Sequence, residues 1–352
     1  MSTPRALGFR MPAEWEPQAA TWLSWPSNRA LWPGHYDLIP AKFAEFAAAI
    51  SRFQPVRINA AGPLRAEAER ELKAAKADLA VIELTDIATD DVWCRDHGPI
   101  FVNNDRTKEL ALTDWEFHGW GGKFEASLDN QVPGKVAAKL GVRKFSYPFE
   151  LEGGGIEVSG DGLLLTTEAV QNNPNRADGR DDAAFHAAIR DGLAVDELLW
   201  IGEGLAHDDT DGHIDNLARF VAPRTILAVS ESDKASPNYA PMQENLRRLR
   251  EMRPRGQRLD ILELPLPKPI RLAGLDLPPS HANFLIVNDG VLVPVYGQPS
   301  DAIALGIGTN IPKLRENRQR YLAALRKAVT AHGRHVKSGL TVRTIKRLDG
   351  KP

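Results

Sequence analysis

Apolar and polar positions repeat along this chain in a regular order. Four times between Pro63 and Gly297, a segment with apolar and small residues at three- and four-residue spacing precedes a short apolar strand and a loop. The helical segments are LRAEAERELKAAKA, NQVPGKVAAKLG, DDAAFHAAIRDGL and APMQENLRRLREM, and the strands after them are LAVIEL, RKFSYPF, ELLWIGE and LDILELPL. Each loop then opens into two apolar runs separated by a turn, which predicts a module of helix, strand, loop and hairpin.

The hairpins of these modules are PIFVNNDRTKELALTDW, GGIEVSGDGLLLTTEAV, IDNLARFVAPRTILAVSE and HANFLIVNDGVLVPVYG. Part of a further copy opens the chain, where the strand-like PAEWEPQAATWLSWP is followed by the helical AKFAEFAAAISRF and the strand PVRINAAG. Four copies and split ends predict an α/β fold that forms a closed ring of about five modules rather than separate domains. In such a ring, equivalent loops meet on one face.

The composition of the chain indicates the cellular compartment in which the protein is expected. The 352 residues contain no run of 18 apolar residues and no apolar stretch near the start, which argues against a membrane span and a secretory signal. The single cysteine, Cys94, excludes an internal disulfide and a multi-cysteine zinc site. We therefore expect a cytoplasmic protein that does not bind membranes.

Charge is distributed unevenly. Residues 311–352 hold 12 Lys or Arg against 2 Asp or Glu, whereas the preceding residues carry a net charge of −12. Such a basic end is typical of nucleic-acid or membrane tails, although a solvated helix with a frayed end gives the same composition. A third interpretation is that this end does not belong to the fold.

Two polar motifs interrupt the apolar pattern at loop positions. The first is DDVWCRDHGP at residues 90–99, which is either a functional loop at a strand entrance or a surface ion pair that closes a turn. The second is LEGGG at residues 151–155, where glycines permit close backbone approach to a ligand or simply a tight turn. A phosphate loop is disfavoured, because the expected lysine and helix start are absent.

The third motif, HDDTDGHIDN at residues 207–216, places two histidines and four aspartates within nine residues. His213 and Asp215 are two apart, so they project to the same side of an extended chain. The residue types suit zinc or a harder cation, but no known ligand spacing is matched. A lone His-X-Asp pair is more often structural, but two histidines and four aspartates within nine residues are harder to explain in that way.

Together the three motifs supply acids and one histidine without a basic cluster for phosphate. That set suits a planar guanidinium, whose five N–H donors pair bidentately with carboxylates. Each such charge-assisted bond contributes on the order of 1.5–3 kcal/mol. The candidate carboxylates are Asp96, Glu152, Asp209 and Asp215.

These motifs resemble those of the agmatine deiminase and bacterial peptidylarginine deiminase family. The matching stretches are MPAEWEPQAATWLSWP, DVWCRDHGP, DWEFHGWGGKF, EGGGIEVSGDG, TTEAVQNNPNR, HDDTDGHIDNLARF and the NF of HANF, spanning Met11 to Ala304. The resemblance implies a five-bladed α/β propeller of the pentein superfamily, in agreement with the module count. It also implies hydrolysis of agmatine to N-carbamoylputrescine and ammonia, a step toward putrescine.

The resemblance further implies roles for individual residues. Asp96 and Asp215 would bind the guanidinium, His213 would be the general acid and base, and the reaction would need no metal or organic cofactor. Glu152 and Asp209 would add substrate contacts. The aromatic residues Trp93, Trp115 and Trp120 would line the channel for the aliphatic chain or pack in the core.

The nucleophile of the family is a cysteine near the C-terminus, and no residue of this sequence matches it. The resemblance therefore predicts a deiminase-like domain at residues 1–304 and an atypical basic tail at residues 305–352, produced by a frameshift or by lineage-specific change. Cys94 is the only thiol that could substitute, but it lies in a different module. A buried, unreactive cysteine is the commoner case.

Three functions from different classes remain open after this comparison. The first is a guanidine deiminase, with agmatine favoured over peptidyl-arginine or free arginine as the substrate. The second is a guanidine-binding homologue without catalysis, and the third is a metal-dependent hydrolase. The expected partner in the first two is a small cationic guanidine rather than nucleic acid. The sequence leaves homo-oligomerisation open.

Overall fold

The computed structural model describes residues 2–32, 34–272, 275–308 and 343–344. Within them the chain is an α/β protein built from small sheets, as its repeat pattern predicts. Apart from residues 305–308 and 343–344, the predicted basic tail lies outside the described residues. Among the described helices, none has the length and apolar character needed to cross a membrane.

The strands and helices follow the predicted order closely. The strands are β1 Thr21–Ser24, β2 Val56–Asn59, β3 Ile82–Thr85, β4 Ile100–Asn103, β5 Leu110–Glu116, β6 Arg143–Glu150, β7 Glu157–Val158, β8 Leu163–Thr167, β9 Glu197–Ile201, β10 Ala218–Ala222, β11 Thr225–Ser230, β12 Asp260–Pro265, β13 Ile270–Leu272, β14 Leu275–Leu277, β15 Leu285–Val287, β16 Gly290–Val293 and β17 Arg343–Thr344. The α-helices are α1 Ile39–Ile50, α2 Leu64–Ala74, α3 Cys94–His97, α4 Gly119–Gly122, α5 Val132–Leu140, α6 Glu168–Gln171, α7 Pro174–Ala177, α8 Asp182–Leu193, α9 Tyr239–Glu251 and α10 Ser300–Gly308. The 3-10 helices are Arg5–Leu7, Arg29–Leu31, Tyr36–Leu38, Asp129–Gln131, Gly153–Gly155, Ile214–Asn216 and Pro254–Gly256.

All four predicted hairpins are present, and three of them share one sheet plan. The pairs β4–β5, β7–β8 and β10–β11 are antiparallel. In each case the second strand also pairs in parallel with the strand that follows the next long helix, β6, β9 or β12. From the second hairpin onward, the strand predicted to lead into a hairpin therefore completes the sheet of the preceding hairpin, so the structural repeat is hairpin, helix and strand.

The two ends of the repeat differ from this plan. The first sheet, β1-β2-β3, is parallel throughout and contains no hairpin. The last hairpin, β15–β16, pairs with β17 in an antiparallel sense over two residues. Among the described residues, the last sheet is therefore not completed in the way that the three middle sheets are.

The chain divides into two compact units. One comprises residues 1–12, 16–154 and 174–196, and the other comprises residues 13–15, 155–173 and the chain from residue 197 onward. Each unit buries its own apolar clusters. Those of the first unit include Ile87, Leu112, Val132, Val136, Ala137, Phe9, Val102, Ala111, Phe117 and Trp120, and the second has one large cluster that includes Leu163, Ile201, Phe220, Leu246 and Val291.

Local sequence explains where these elements begin and end. The side chain of Asp181 accepts a hydrogen bond from the backbone N–H of Ala184 at 3.0 Å and so caps α8. Thr167 caps α6 in the same way, through the N–H of Val170 at 3.1 Å. Gly141 ends α5 with φ of +65°, a left-handed conformation that glycine adopts without steric cost.

Candidate active site

Asp96 lies in the short helix α3 and is 8% exposed. Its Oδ1 accepts a hydrogen bond from the backbone N–H of Gly154 at 2.9 Å, and its Oδ2 accepts one from Nε1 of Trp120 at 3.2 Å. Two loops that are distant in sequence therefore orient this carboxylate. Because the Asp96 carboxylate is buried and accepts these two hydrogen bonds, its orientation is fixed, and a fixed carboxylate is suited to binding a planar cation.

The glycine loop after Glu152 explains how Gly154 reaches Asp96. A Cβ atom on Gly153 would overlap the backbone carbonyl oxygen of Arg95, so only glycine fits there. The sequence predicted that the backbone of this loop would closely approach a ligand or form a tight turn. In the structure, the backbone of Gly153 closely approaches the backbone of Arg95. This approach presents the next N–H to the Asp96 carboxylate and places Glu152 beside the same loop.

Glu152 is 2% exposed and forms an ion pair with Arg176 of α7. Nε of Arg176 lies 3.0 Å from each carboxylate oxygen of Glu152, and Nη2 lies 2.9 Å from Oε1. Both side chains are almost fully buried. A charge buried in this way needs a partner of opposite charge, because desolvation costs several kcal/mol per ion.

Residues 119–122, the segment α4, have non-helical torsions at Trp120 and Gly121 and form a loop of unusual backbone conformation. All four have positive φ, including the non-glycine Trp120 at +57°. The N–H of Gly121 donates to Oε1 of Glu150, and Nδ1 of His118 lies 3.2 Å from Oε2 of the same residue. Burial, and then the nearby charge of Glu152, raise the pKa of Glu150. The strained loop holds Trp120 in place for its bond to Asp96.

The three aromatic candidates have different surroundings. Trp120 is buried and packs edge-on against Phe117. Trp115 is also buried, stacks on Tyr147 at 4.3 Å between ring centroids, and donates to Thr113, so it is a core residue. Trp93 is 50% exposed and directly precedes α3.

Cys94 has the character of a structural cysteine. Burial raises the pKa of its thiol to about 12, although a hydrogen bond with Ser24 acts in the opposite direction. The thiolate is the nucleophilic form of cysteine. At neutral pH this side chain is therefore a protonated thiol, which argues against Cys94 as a substitute nucleophile.

His213 and Asp215 lie in the second unit and are 1% and 5% exposed. A ring nitrogen of His213 and a carboxylate oxygen of Asp215 lie within 4.8 Å of each other. His213 has extended backbone torsions, whereas Asp215 sits in the 3-10 turn Ile214–Asn216 rather than in the extended strand considered from sequence. The turn still brings the imidazole and the carboxylate together.

The loop before His213 is fixed by side-chain hydrogen bonds. Oδ1 of Asp208 accepts from the N–H and the hydroxyl of Thr210, and Oγ1 of Thr210 accepts from the N–H of His213 at 3.2 Å. The hydroxyl of Thr167 donates to the carbonyl of Gly212 at 2.7 Å. Asp209 lies in the same loop and is exposed.

A second group of titratable residues in the first unit comprises His97 of α3 and two aspartates near it. Burial raises the pKa of Asp129 to about 7 and that of Asp91 to about 6. Burial also lowers the pKa of His97 to about 4, and its Nε2 lies 3.9 Å from Oδ1 of Asp129. Asp129 accepts hydrogen bonds from the N–H groups of Asp90 and Asp91 and so anchors the segment that leads to Asp96.

The chain is similar in sequence and in fold to known proteins. Residues 10–333 match the model of the Porphyromonas-type peptidyl-arginine deiminases. The chain belongs to this family. The match overlaps residues 305–333 of the predicted tail.

Members of known function and structure resemble most of the chain. The agmatine deiminase of Pseudomonas aeruginosa (strain LESB58) is 38% identical over 337 residues, covering 87% of this chain and 88% of the relative. The solved agmatine deiminase of Enterococcus faecalis has a TM-score of 0.82 at 32% identity and covers 89% of this chain and 90% of its own. A substrate-bound agmatine deiminase of C. jejuni has a TM-score of 0.78 at 29% identity, covering 88% and 89% of the two chains. These proteins share the fold of this chain.

Sequence reasoning assigned no role to several residues that shape the site. Arg176 was part of the NNPNR stretch, but nothing in its spacing indicated that it would pair with Glu152. A buried glutamate does require a cationic partner, and that requirement was the available signal. Thr167 and Thr210, which hold the His213 loop, had no comparable signal, because threonines are common near strand ends.

Proposed function

We propose that this chain hydrolyses agmatine to N-carbamoylputrescine and ammonia. The observation that carries the proposal is the resemblance to agmatine deiminases over nearly nine-tenths of both chains, in sequence and in fold. The reaction breaks one C–N bond of a guanidinium and adds one water. The enzyme is therefore a hydrolase of linear amidines.

The buried carboxylates are the proposed substrate ligands. Asp96 and Asp215 bind the guanidinium, and Glu152 and Asp209 contribute further contacts. Asp96 is suited to this role because two N–H donors already fix its orientation. The indole of the exposed Trp93 contacts the aliphatic chain of the substrate, while Trp120 lines the site and positions Asp96.

His213 is the proposed general acid and base. The mechanism implied by the family begins when a thiolate attacks the guanidinium carbon. His213 then protonates the departing ammonia and next takes a proton from the water that hydrolyses the amidino-thioether, which releases the ureido product and the free thiol. A buried imidazole close to Asp215 is supported by the carboxylate as it gains a proton.

The nucleophile is the part of this proposal that the sequence leaves unassigned. The only cysteine is Cys94, whose thiol has a pKa of about 12. This observation favours a second candidate function, in which the chain binds a guanidine without turning it over. Loss of a nucleophile from a catalytic set costs on the order of a millionfold in rate.

The five-bladed arrangement and the domain limits belong to the same proposal. Three repeats of hairpin, helix and strand, together with the parallel first sheet and the last hairpin, support five blades at residues 1–304. The antiparallel pairing of β17 supports a tail at residues 305–352 that does not complete the fifth blade. Resequencing the coding DNA after Ile307 tests this: a restored frame that ends in a glycine-rich His-Cys segment supports a frameshift, and an unchanged frame supports a lineage-specific tail.

A cytoplasmic, cofactor-free enzyme without nucleic-acid partners remains the expectation from sequence. A metal-dependent hydrolase is the competing mechanism, because His213 and Asp215 offer two potential ligand atoms within 4.8 Å. Removal of metal separates the two mechanisms, since the thiol mechanism does not require a metal ion.

Ammonia release tests the proposal directly. The purified full chain is incubated with agmatine, free arginine or a peptidyl-arginine, each with and without EDTA, and agmatine binding is measured by calorimetry. Release from agmatine that is insensitive to EDTA is the expected result. Binding without release supports the guanidine-binding homologue, release abolished by EDTA supports the metal hydrolase, and absence of both binding and release refutes the proposal.

A further inference from the structure

Arg176 is a guanidinium supplied by the protein itself to one of the proposed substrate carboxylates. Its planar fork reaches both oxygens of Glu152, and less than a tenth of either side chain is exposed. An ionised carboxylate offers about four acceptor directions. The guanidinium of Arg176 occupies several of these acceptor positions. Glu152 therefore cannot also form a full bidentate pair with the guanidinium of a substrate.

Arg176 is also part of a closed series of contacts around Asp96. Its Nη1 donates to the side-chain oxygen of Asn175 at 2.9 Å. A Cβ atom on Gly121 would overlap the amide of Asn175, so α7 lies against the strained loop of residues 119–122. That loop holds Trp120 on Oδ2 of Asp96.

The series closes through the glycine loop. Glu152 directly precedes Gly153, which lies against the backbone of Arg95, and the N–H of Gly154 donates to Oδ1 of Asp96. Arg176 thus contacts one carboxylate directly and reaches the other through loop residues on two sides. A change at this guanidinium would alter the orientation of both acids.

The charges near Arg176 indicate why an arginine stands there. Glu150 and Glu152 are both buried, and the charge of Arg176 lowers the pKa of Glu150 against the larger effects of burial and of Glu152. A lysine would supply a point charge but not the planar fork that matches a carboxylate. The pair with Glu152 uses both the charge and the shape of arginine.

We propose that Arg176 is a positioning residue that fixes the plane of the Glu152 carboxylate and limits how many N–H groups of a guanidinium ligand this acid accepts. The inference rests on the proposed function, because it assigns the ligand of Glu152 to the guanidinium class. Arg176 does not touch the reacting atoms in this assignment. It acts through Glu152 and, by way of the two loops, through Asp96.

Calorimetry with agmatine and with guanidinium chloride tests the assignment. Arg176→Ala is expected to weaken agmatine binding about tenfold or more. It should also create a second guanidinium site, in addition to the one at which guanidinium competes with agmatine in the wild type. With about 10 mM guanidinium chloride at matched ionic strength, agmatine binding should recover in R176A, whereas in the wild type guanidinium should only compete. Arg176→Lys should be weakened as well and should not be rescued by guanidinium, because its ammonium occupies the site.

The controls separate positioning from general loss of structure. Arg10→Ala removes another arginine with a bidentate partner, Glu16, and should leave agmatine binding within about twofold and show no guanidinium rescue. The double variant Arg176→Ala, Glu152→Gln should lose the new guanidinium site. Unchanged agmatine binding in R176A, or persistence in the double variant of the additional guanidinium site created by R176A, would overturn the inference.

The same titrations distinguish this inference from the proposed function. If the wild type neither binds agmatine nor releases ammonia, the proposed function fails, but the guanidinium titration of R176A still reads the Glu152 site. If the wild type binds agmatine and R176A gains no guanidinium site, the positioning role fails and the proposed function stands.

Discussion

At the scale of single residues, the candidate acids and bases differ in what holds them. Asp96 is oriented by two neutral N–H donors and Glu152 by a guanidinium. The backbone N–H of His213 donates a hydrogen bond to the hydroxyl oxygen of Thr210. The types of these residues were evident from sequence, because carboxylates and one histidine cluster in three motifs. Their donors were not, since each donor comes from a distant segment whose position depends on tertiary packing.

His213 and His207 form a matched pair for testing the general acid and base. His213→Gln should lower ammonia release at least about a hundredfold while agmatine binding stays within a few-fold, because general acid–base catalysis contributes roughly 10²–10⁴ in rate. His207→Gln alters an exposed side chain in the same loop and should change release less than twofold. Equal losses in the two variants would show that loop integrity, rather than the imidazole, is being measured.

The reactivity of Cys94 can be measured without any turnover. Because the thiol pKa is raised to about 12, the thiolate fraction, and with it the alkylation rate, should rise about tenfold per pH unit from pH 7 to 10 without a plateau. Iodoacetamide labelling followed by mass spectrometry gives the rate, with a cysteine peptide as the reference. An alkylation rate that reaches a plateau below pH 8 would identify an activated thiol and would support Cys94 as the nucleophile.

At the scale of elements, hydrophobic periodicity predicted the helices and hairpins well. The segment DDAAFHAAIRDGL forms α8, and GGIEVSGDGLLLTTEAV forms the β7–β8 hairpin. Which strands pair could not be read from the pattern, because period and turn signals describe each strand alone. The pairing of β6 with β5 rather than with a later hairpin depends on how α5 packs back onto the sheet.

Gly153 and Gly134 test the role of the glycine loop as an element. Gly153→Ala should lower the free energy of unfolding by about 2 kcal/mol or more and weaken agmatine binding, because the added methyl meets the Arg95 carbonyl and displaces the loop. Gly134→Ala lies in α5, where the nearest atom to the new Cβ is 3.6 Å away, and should stabilise the protein by roughly 0.5–1 kcal/mol. Urea denaturation and calorimetry measure both effects. A stable G153A protein with unchanged affinity would exclude a tight loop.

At the scale of the whole molecule, the repeat pattern indicated the α/β class, and the convergence of equivalent loops in a closed ring stays a prediction. It did not indicate the two compact units, in which segments such as residues 13–15 and 155–173 belong to the second unit. Both segments contribute a residue to a buried ion-pair cluster of the second unit. The guanidinium of Arg219 pairs with Glu157 and Glu14 and is almost fully buried. An arginine within a strand carries no sequence signal for those partners.

The stability of the molecule should depend on pH through Asp129. Its folded pKa of about 7 exceeds the ordinary value of 3.8, so the folded state holds the proton more tightly, and stability falls as pH rises through this window. The pKa of His97 is lowered from 6.5 to about 4, so its contribution to stability rises with pH between these two values and is constant above them. The stability of the wild type relative to Asp129→Asn should therefore fall by about 1.4 kcal/mol between pH 6 and pH 8.

Urea unfolding at the two pH values measures this difference. Asp37→Asn removes the charge of an acid that is almost fully exposed and serves as the control for the loss of a carboxylate. A wild type whose stability relative to D129N rises from pH 6 to pH 8 would show that Asp129 is ionised and favourably paired in the folded protein.

The repeat of hairpin, helix and strand also has a consequence for synthesis on the ribosome. The hairpin β4–β5 is translated before β6, so one edge of β5 has no strand partner until a further helix has emerged. Unpaired edges favour association with other chains. We expect nascent chains stalled between residues 117 and 142 to recruit chaperones more strongly than chains stalled just after residue 150, and the same alternation to recur after β8 and β11.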